Sequence, residues 1–280
     1  MYKSIFTSGL TGFIGNNLLI FLLKDFEYVV NFERNNQVTI HSKSGKENTS
    51  LSKELINKFD AGQFLHLATL YRPNAKNADE LFELIKSNIE FIIKIIERYL
   101  SKEDTEIINV SSYMQLLEIK YQNSYSLSKE IVNKFLVDSG YKHKNIYLFD
   151  SFGTGDTREK VTDIFIKNIL NNQKIKIPHN DVSINLTHVD DICFSIINSL
   201  KYPQGDYSIN SRHSITLEDL AMLIMKILNL NVTIEKSGAA INYLENIKRL
   251  PKNIYLQHKN KSLEVRLKER INEIQKTKNT

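Results

Sequence analysis

A chain of 280 residues, 41% hydrophobic and 25% charged, has the make-up of a globular protein of one large or two modest domains. That composition excludes a disordered chain, a collagen-like chain and a disulfide-stapled miniprotein, and a single cysteine, Cys193, suits a reducing cytoplasm. The net charge of +5 is local: residues 251–280 hold eight Lys/Arg against three Glu, read as a solvated basic helix face, with no nucleic-acid partner expected. The longest apolar run, Leu18 to Leu23, is too short for membrane insertion, and Gly9, Gly12 and Gly15 break up any signal-peptide core.

Short apolar runs alternate with amphipathic stretches along the chain. Ser4 to Thr7 reads as a buried strand, and Phe13 to Asp25 as a helix with Ile14, Leu18, Phe21 and Leu22 on one face. Tyr28 to Glu33 and Val38 to His41 are strand patterns. Ser50 is the expected N-cap of a helix reaching Phe59. Phe64 to Ala68 is a strand, and Asn77 to Leu100 one long helical pattern. Glu106 to Val110, Ser126 to Asp138 and Asn145 to Phe149 follow as strand, helix and strand. Beyond residue 157 the rhythm loosens, with helical patterns at Val161 to Leu170, Leu217 to Leu228 and Lys261 to Ile274, and a strand at Asn231 to Ile234. Alternating strands and helices imply a Rossmann-like, doubly wound parallel α/β sheet. The expected division is 1–157 with 186–206 as the dinucleotide-binding domain, and 158–185 with 207–280 as a small C-terminal substrate-binding lobe.

Chemistry concentrates in two motifs. Gly9, Gly12 and Gly15 lie between the first strand and first helix, where glycine permits a tight turn, close approach to a pyrophosphate and close helix packing. The first-turn amides, around Thr11, Phe13 and Ile14, then face the phosphates. The spacing is GxxGxxG, and no P-loop motif occurs. Glu33, ending the second strand, fits the ribose hydroxyls of NAD, whereas Arg34 beside it fits the 2′-phosphate of NADP. The cofactor expected is NADP or NAD, with NADPH favoured. Tyr125 and Lys129, at i and i+4, share a helix face, and the ammonium is expected to lower the phenol's pKa for proton exchange with an alcohol or ketone. Ser112 ends a strand at the carboxyl edge of the sheet, in reach of the same carbonyl.

These motifs, with His66–Thr69, Asn88, Phe152–Asp156 and Thr187–Asp191, resemble in order the extended short-chain dehydrogenase/reductases of the NAD-dependent epimerase/dehydratase type. The resemblance implies Tyr125 as acid/base, Lys129 orienting the nicotinamide ribose, and Ser112 holding the substrate oxygen. It places Leu67, Ala68, Thr69 and Asn88 at the cofactor, and Tyr71, Arg72, Tyr113 and Asp150 at the substrate. The family's dehydratases carry Asp-Glu after the serine, where this chain has Tyr113 and Met114. The resemblance points to a 4-ketoreductase of the abequose-synthase type, acting on a nucleotide-diphospho-4-keto-(di)deoxyhexose for surface polysaccharide, and to a cytoplasmic homodimer. A 4-epimerase with retained NAD and a non-catalytic dinucleotide sensor are the alternatives. Arg249, Arg212 and Lys174 are candidate partners for the substrate's phosphates.

Other residues read as structural. The histidines lack metal-ligand spacing, and His66 and His188 read as satisfied core residues. Asp190 and Asp191, as neighbours on a strand, are expected to face apart and to cap a helix. Leu263, Leu267, Ile271 and Ile274 form a stripe expected to dock on the core.

Overall fold

The computed structural model describes residues 2–278. In chain order the first half runs β1 (Tyr2–Ser8), α1 (Phe13–Asp25), β2 (Tyr28–Phe32), β3 (Gln37–Ser42), β4 (Gly45–Ser50), α2 (Lys53–Ile56), β5 (Phe59–Asp60), β6 (Gln63–His66), α3 (Ala78–Ile85), a π-helical turn (Lys86–Glu90), α4 (Phe91–Tyr99), β7 (Glu106–Ser112), α5 (Ser124–Ser139) and β8 (His143–Leu148). The second half runs β9 (Asp150–Phe152), α6 (Val161–Leu170), β10 (Ile175–Ile177), β11 (Ser183–Ile184), β12 (Leu186–His188), α7 (Val189–Ser199), β13 (Gly205–Ile209), β14 (Ile215–Thr216), α8 (Leu217–Leu228), β15 (Ile234–Lys236), β16 (Lys252–Asn253) and α9 (Leu263–Lys278).

The main sheet has the order β16-β13-β8-β7-β6-β1-β2-β3-β4, with β5 pairing β1. Its strands are parallel from β16 to β2, and β3 and β4 close that edge as an antiparallel meander. Strand order reverses between β1 and β6, because α1 carries the chain one way and the return to β6 lands on the other side. The carboxyl ends of those two strands therefore open a crevice, the place where such sheets bind ligands. Helices α1 and α7 cover one face through Leu18, Leu22, Ile192 and Ile196. Helices α4 and α5 cover the other through Ile92, Ile95, Ile96, Val132 and Leu136. A third core joins α6, α8 and α9, and Leu267, Ile271 and Ile274 are buried there as their stripe implied.

The doubly wound sheet agrees with the alternation of elements, but several local expectations are corrected. Ser50 ends β4, and it is Ser52 that caps α2, accepting the Leu55 N–H at 3.1 Å. The polar run Gly45–Ser50 pairs with β3, so that helix shrinks to a single turn. The long helix is interrupted by the π-helical turn, which rotates Asn88 inward. The sheet takes in Gly205–Ile209 and Lys252–Asn253, beyond the stretch 186–206 expected to return to it.

The basic tail is not a solvated face throughout: Arg266 is 1% exposed and Arg270 5%. Asp190 and Asp191 do not face apart. They sit in the first turn of α7, capped by His188, and both carboxylates meet the Arg266 guanidinium at 2.7 and 2.8 Å. A helical turn swings neighbouring side chains by about 100°, where a strand would oppose them.

Candidate active site

The glycine turn fills the crevice between β1 and β6 with backbone alone. Gly9 has φ +84°, and a Cβ there would lie 2.4 Å from the Ala68 amide nitrogen. A Cβ on Gly15 would lie 2.2 Å from the Gly9 carbonyl oxygen. Turn, helix and the segment after β6 are thus in contact, and any side chain would push them apart. Gly12 stands at the N-cap of α1 with no side-chain cap, so the helix presents free first-turn amides to the cleft. The Leu10 N–H donates to Asn31 Oδ1 at 3.3 Å, tying the turn to β2.

The cleft that follows has a volume of about 970 Å³. Gly9, Thr11, Gly12, Phe13, Ile14 and Gly15 line one end, with Glu33 and Arg34 beyond them, and Leu67, Ala68, Thr69 and Tyr71 line its middle. Ser112, Tyr113, Tyr125, Lys129 and Asp150 line the other end. Most of the expected candidates therefore converge on one cleft, with five exceptions. Asn88 is buried behind the wall: it accepts the Leu70 N–H at 2.7 Å, and its Nδ2 donates to Leu70 O and to Ser128 Oγ. It holds the segment 69–70 against α5. Arg72 is off the cleft wall, paired with Glu83 at 2.9 Å. Arg249, Arg212 and Lys174 also lie off the wall, and Lys174 pairs with Glu235.

At the catalytic end, α5 starts at the Asn123 cap and brings Tyr125 and Lys129 to one buried face. The neighbouring Thr69 and Ser112 hydroxyls favour the Tyr125 phenolate, but burial dominates and pushes the phenol up to about 12. This corrects the expected lowering by Lys129. The Lys129 ammonium instead donates to Val110 O at 2.8 Å, and burial pushes it down to about 8. The site is therefore poised with a protonated phenol. The Tyr71 ring meets Tyr125 edge-on at 5.0 Å, and Tyr113 stacks on Phe149 at 4.8 Å. Asp150, desolvated among them, is pushed up to about 6 by burial against the pull of Lys160.

Two cations escaped the sequence reading. Arg158 lies 4.4 Å over the Phe13 ring, and Lys160 lies 4.2 Å over the Tyr71 ring. Asp156 holds Arg158 through Nε and Nη2, both at 2.7 Å. Their signal was available: both follow directly on the Gly153–Gly155 turn. Of the histidines, His66 is satisfied, with Nδ1 2.7 Å from Ser8 Oγ. His188 accepts the Asp190 N–H through Nδ1, but its Nε2 has no partner among the described residues.

A glycine-turn crevice, a tyrosine–lysine pair on one helix face and a strand-ending serine define a class. The model of the NAD dependent epimerase/dehydratase family matches residues 5–209, and the chain belongs to that family. It is an enzyme of the NAD(P)-dependent oxidoreductase type. The chain is similar to the CDP-abequose synthase of Yersinia pseudotuberculosis, at 26% identity over 249 residues covering 82% of this chain and 86% of that protein. Its fold matches the UDP-N-acetylglucosamine 4-epimerase of Methanobrevibacter ruminantium M1 with a TM-score of 0.67, at 20% identity and 99% coverage of each chain. It likewise matches the Thermus thermophilus UDP-glucose 4-epimerase solved with NAD, with a TM-score of 0.67, 13% identity and coverage of 97% and 99%.

Proposed function

We propose that this enzyme is a reductase of a nucleotide-diphospho-4-keto-(di)deoxyhexose that draws on NADPH. The observation that carries the reading is the buried Tyr125 phenol in the cleft wall beside Ser112 and Thr69, with Lys129 one helical turn behind it. The residues present suit a dinucleotide. Gly9, Gly12 and the uncapped start of α1 would take its pyrophosphate, and Glu33 and Arg34 its adenosine ribose. Bound there, the reduced cofactor supplies a hydride to the carbonyl carbon.

The chain's own residues supply the rest. Ser112 and Tyr125 offer hydroxyl hydrogens to the carbonyl oxygen, which polarises it. As negative charge develops on that oxygen, Tyr125 gives up its proton to form the alcohol, and the Lys129 ammonium stabilises the phenolate left behind. Solvent returns one proton to Tyr125 per turnover. Tyr113 and Met114, following Ser112, have no carboxylate to move a carbon-bound proton, which weighs against dehydration. Arg158 and Lys160, with the α6 N-terminus that no side chain caps, supply the positive charge that a sugar nucleotide's diphosphate requires. The identity to a CDP-abequose synthase supports this substrate class.

The test is absorbance loss from NADPH against a panel of CDP-, dTDP-, GDP- and UDP-linked 4-ketosugars. One NADPH consumed per sugar is expected. Conversion with no net consumption would make the enzyme a 4-epimerase and end the reductase reading. Tyr125→Phe should lower turnover by about a hundredfold or more while leaving NADPH affinity within twofold.

A further inference from the structure

The adenosine end of the cleft is walled by an element that the doubly wound pattern does not require. After β2 the chain turns back as β3 and β4, and Thr39 pairs with Asn48 while His41 pairs with Lys46. Residues opposite one another in an antiparallel pair project to the same side. Gln37, Thr39 and His41 of β3 and Lys46 and Asn48 of β4 all line the cleft. The alternate residue Val38 is fully buried in the core on the other side. The face turned to the ligand is thus wholly polar, and it carries a cation.

Charge at this end is unbalanced. The Glu33 carboxylate accepts hydrogen bonds from Asn31 Nδ2 at 2.5 Å and Thr39 Oγ1 at 3.2 Å, so part of its accepting capacity is used. Arg34 and Lys46 face the cleft with no carboxylate partner among the described residues. His41 lies close enough to Lys46 and Glu33 to feel both charges, and its ring is held toward the neutral form by burial and by Lys46. Two cations against one engaged carboxylate suit a phosphate dianion better than a ribose hydroxyl. Position identifies which phosphate. Tyr125 and Lys129 mark the nicotinamide end and the glycine turn marks the pyrophosphate, so the far end receives the adenosine ribose.

We infer that the β3–β4 hairpin is the cofactor-selecting element of this enzyme, with Lys46 and Arg34 gripping the 2′-phosphate of an NADP-type cofactor from two sides. The inference rests on the dinucleotide reading above and adds the residue on the hairpin that decides between the two cofactors. Lys46 is exposed beside the Gly45 turn, so its replacement leaves the core intact.

Equilibrium binding of NADPH, NADH and 2′-AMP to the whole chain, by calorimetry or nicotinamide fluorescence, tests it without any sugar. The wild type should bind NADPH at least tenfold more tightly than NADH. Lys46→Ala should weaken NADPH and 2′-AMP about tenfold and leave NADH within twofold, and Lys46→Arg should restore most of the loss. Equal affinity for the two cofactors in the wild type would overturn the proposal. So would a Lys46→Ala chain that keeps its full preference, or one that loses both cofactors alike. If no ketosugar is turned over but the preference stands, the assigned reaction fails and the hairpin's role survives.

Discussion

Lys129 shows how a single side chain sets function against stability. Fully desolvated and held to Val110 O at 2.8 Å, its ammonium is pushed from the ordinary 10.5 down to about 8. Below pH 8 the folded and unfolded chains both carry this proton, and the folded state bears the whole desolvation cost, about 3 kcal/mol. Between pH 8 and 10.5 the unfolded chain still binds the proton that the folded chain has released, so stability rises with pH across that window. Lys129→Met should therefore melt several degrees higher than the wild type at pH 7, with the gap closing towards pH 10, while losing most of its activity. Thermal melts across that range check it, and a lower melting temperature at pH 7 would contradict the assigned cost.

Among elements, α9 has the widest reach. Arg266 joins it to Asp190 and Asp191 at the head of α7 and to His258 O at 3.0 Å. Arg270 donates to Asp163 Oδ1 at 2.9 Å and to Asp156 O at 2.6 Å, and Glu273 accepts the Gly155 N–H at 2.8 Å. The terminal helix thus fastens the loop that carries Arg158 and Lys160 into the cleft. Arg266→Ala leaves two carboxylates without their cation, one of them buried, and should cost about 3–5 kcal/mol in urea unfolding. Arg270→Ala should raise KM for the sugar nucleotide more than it lowers kcat, because it frees the loop while leaving Tyr125 in place. A purely structural role would instead lower the active fraction with KM unchanged.

At the scale of the whole molecule, α3 and α5 pack side by side and leave apolar side chains in solvent. Phe82 is 65% exposed, Val137 58% and Ile131 51%. Leu81 and Leu127 extend the same pair of surfaces. The family resemblance implies a homodimer, and large apolar side chains left exposed on these two helices would favour burial between two copies. Light scattering should give twice the chain mass for the wild type, and Ile131→Asp should give a monomer.

Legibility in the sequence followed the range of the interactions involved. The order of β1, glycine turn and α1, and the alternation up to β8, were readable because strand and helix periods are local. The convergence of Ser112, Tyr125 and Lys129 was readable because strand ends and i, i+4 spacing place them. The β3–β4 edge was half read and β4 missed, since a polar exposed strand exists only through its partner. Strands β9, β12, β13 and β16 were missed for the same reason: each is short and stabilised by pairing with residues far along the chain. By itself, then, the sequence determined the class of fold and the glycine-turn crevice, and it put forward Tyr125 as the proposed proton donor. Tertiary structure alone decided the burial of Arg266 and Arg270, the entry of Arg158 and Lys160 into the cleft, and the state of Tyr125. Those depend on how much water other segments remove from a charge, and on which distant partners replace it.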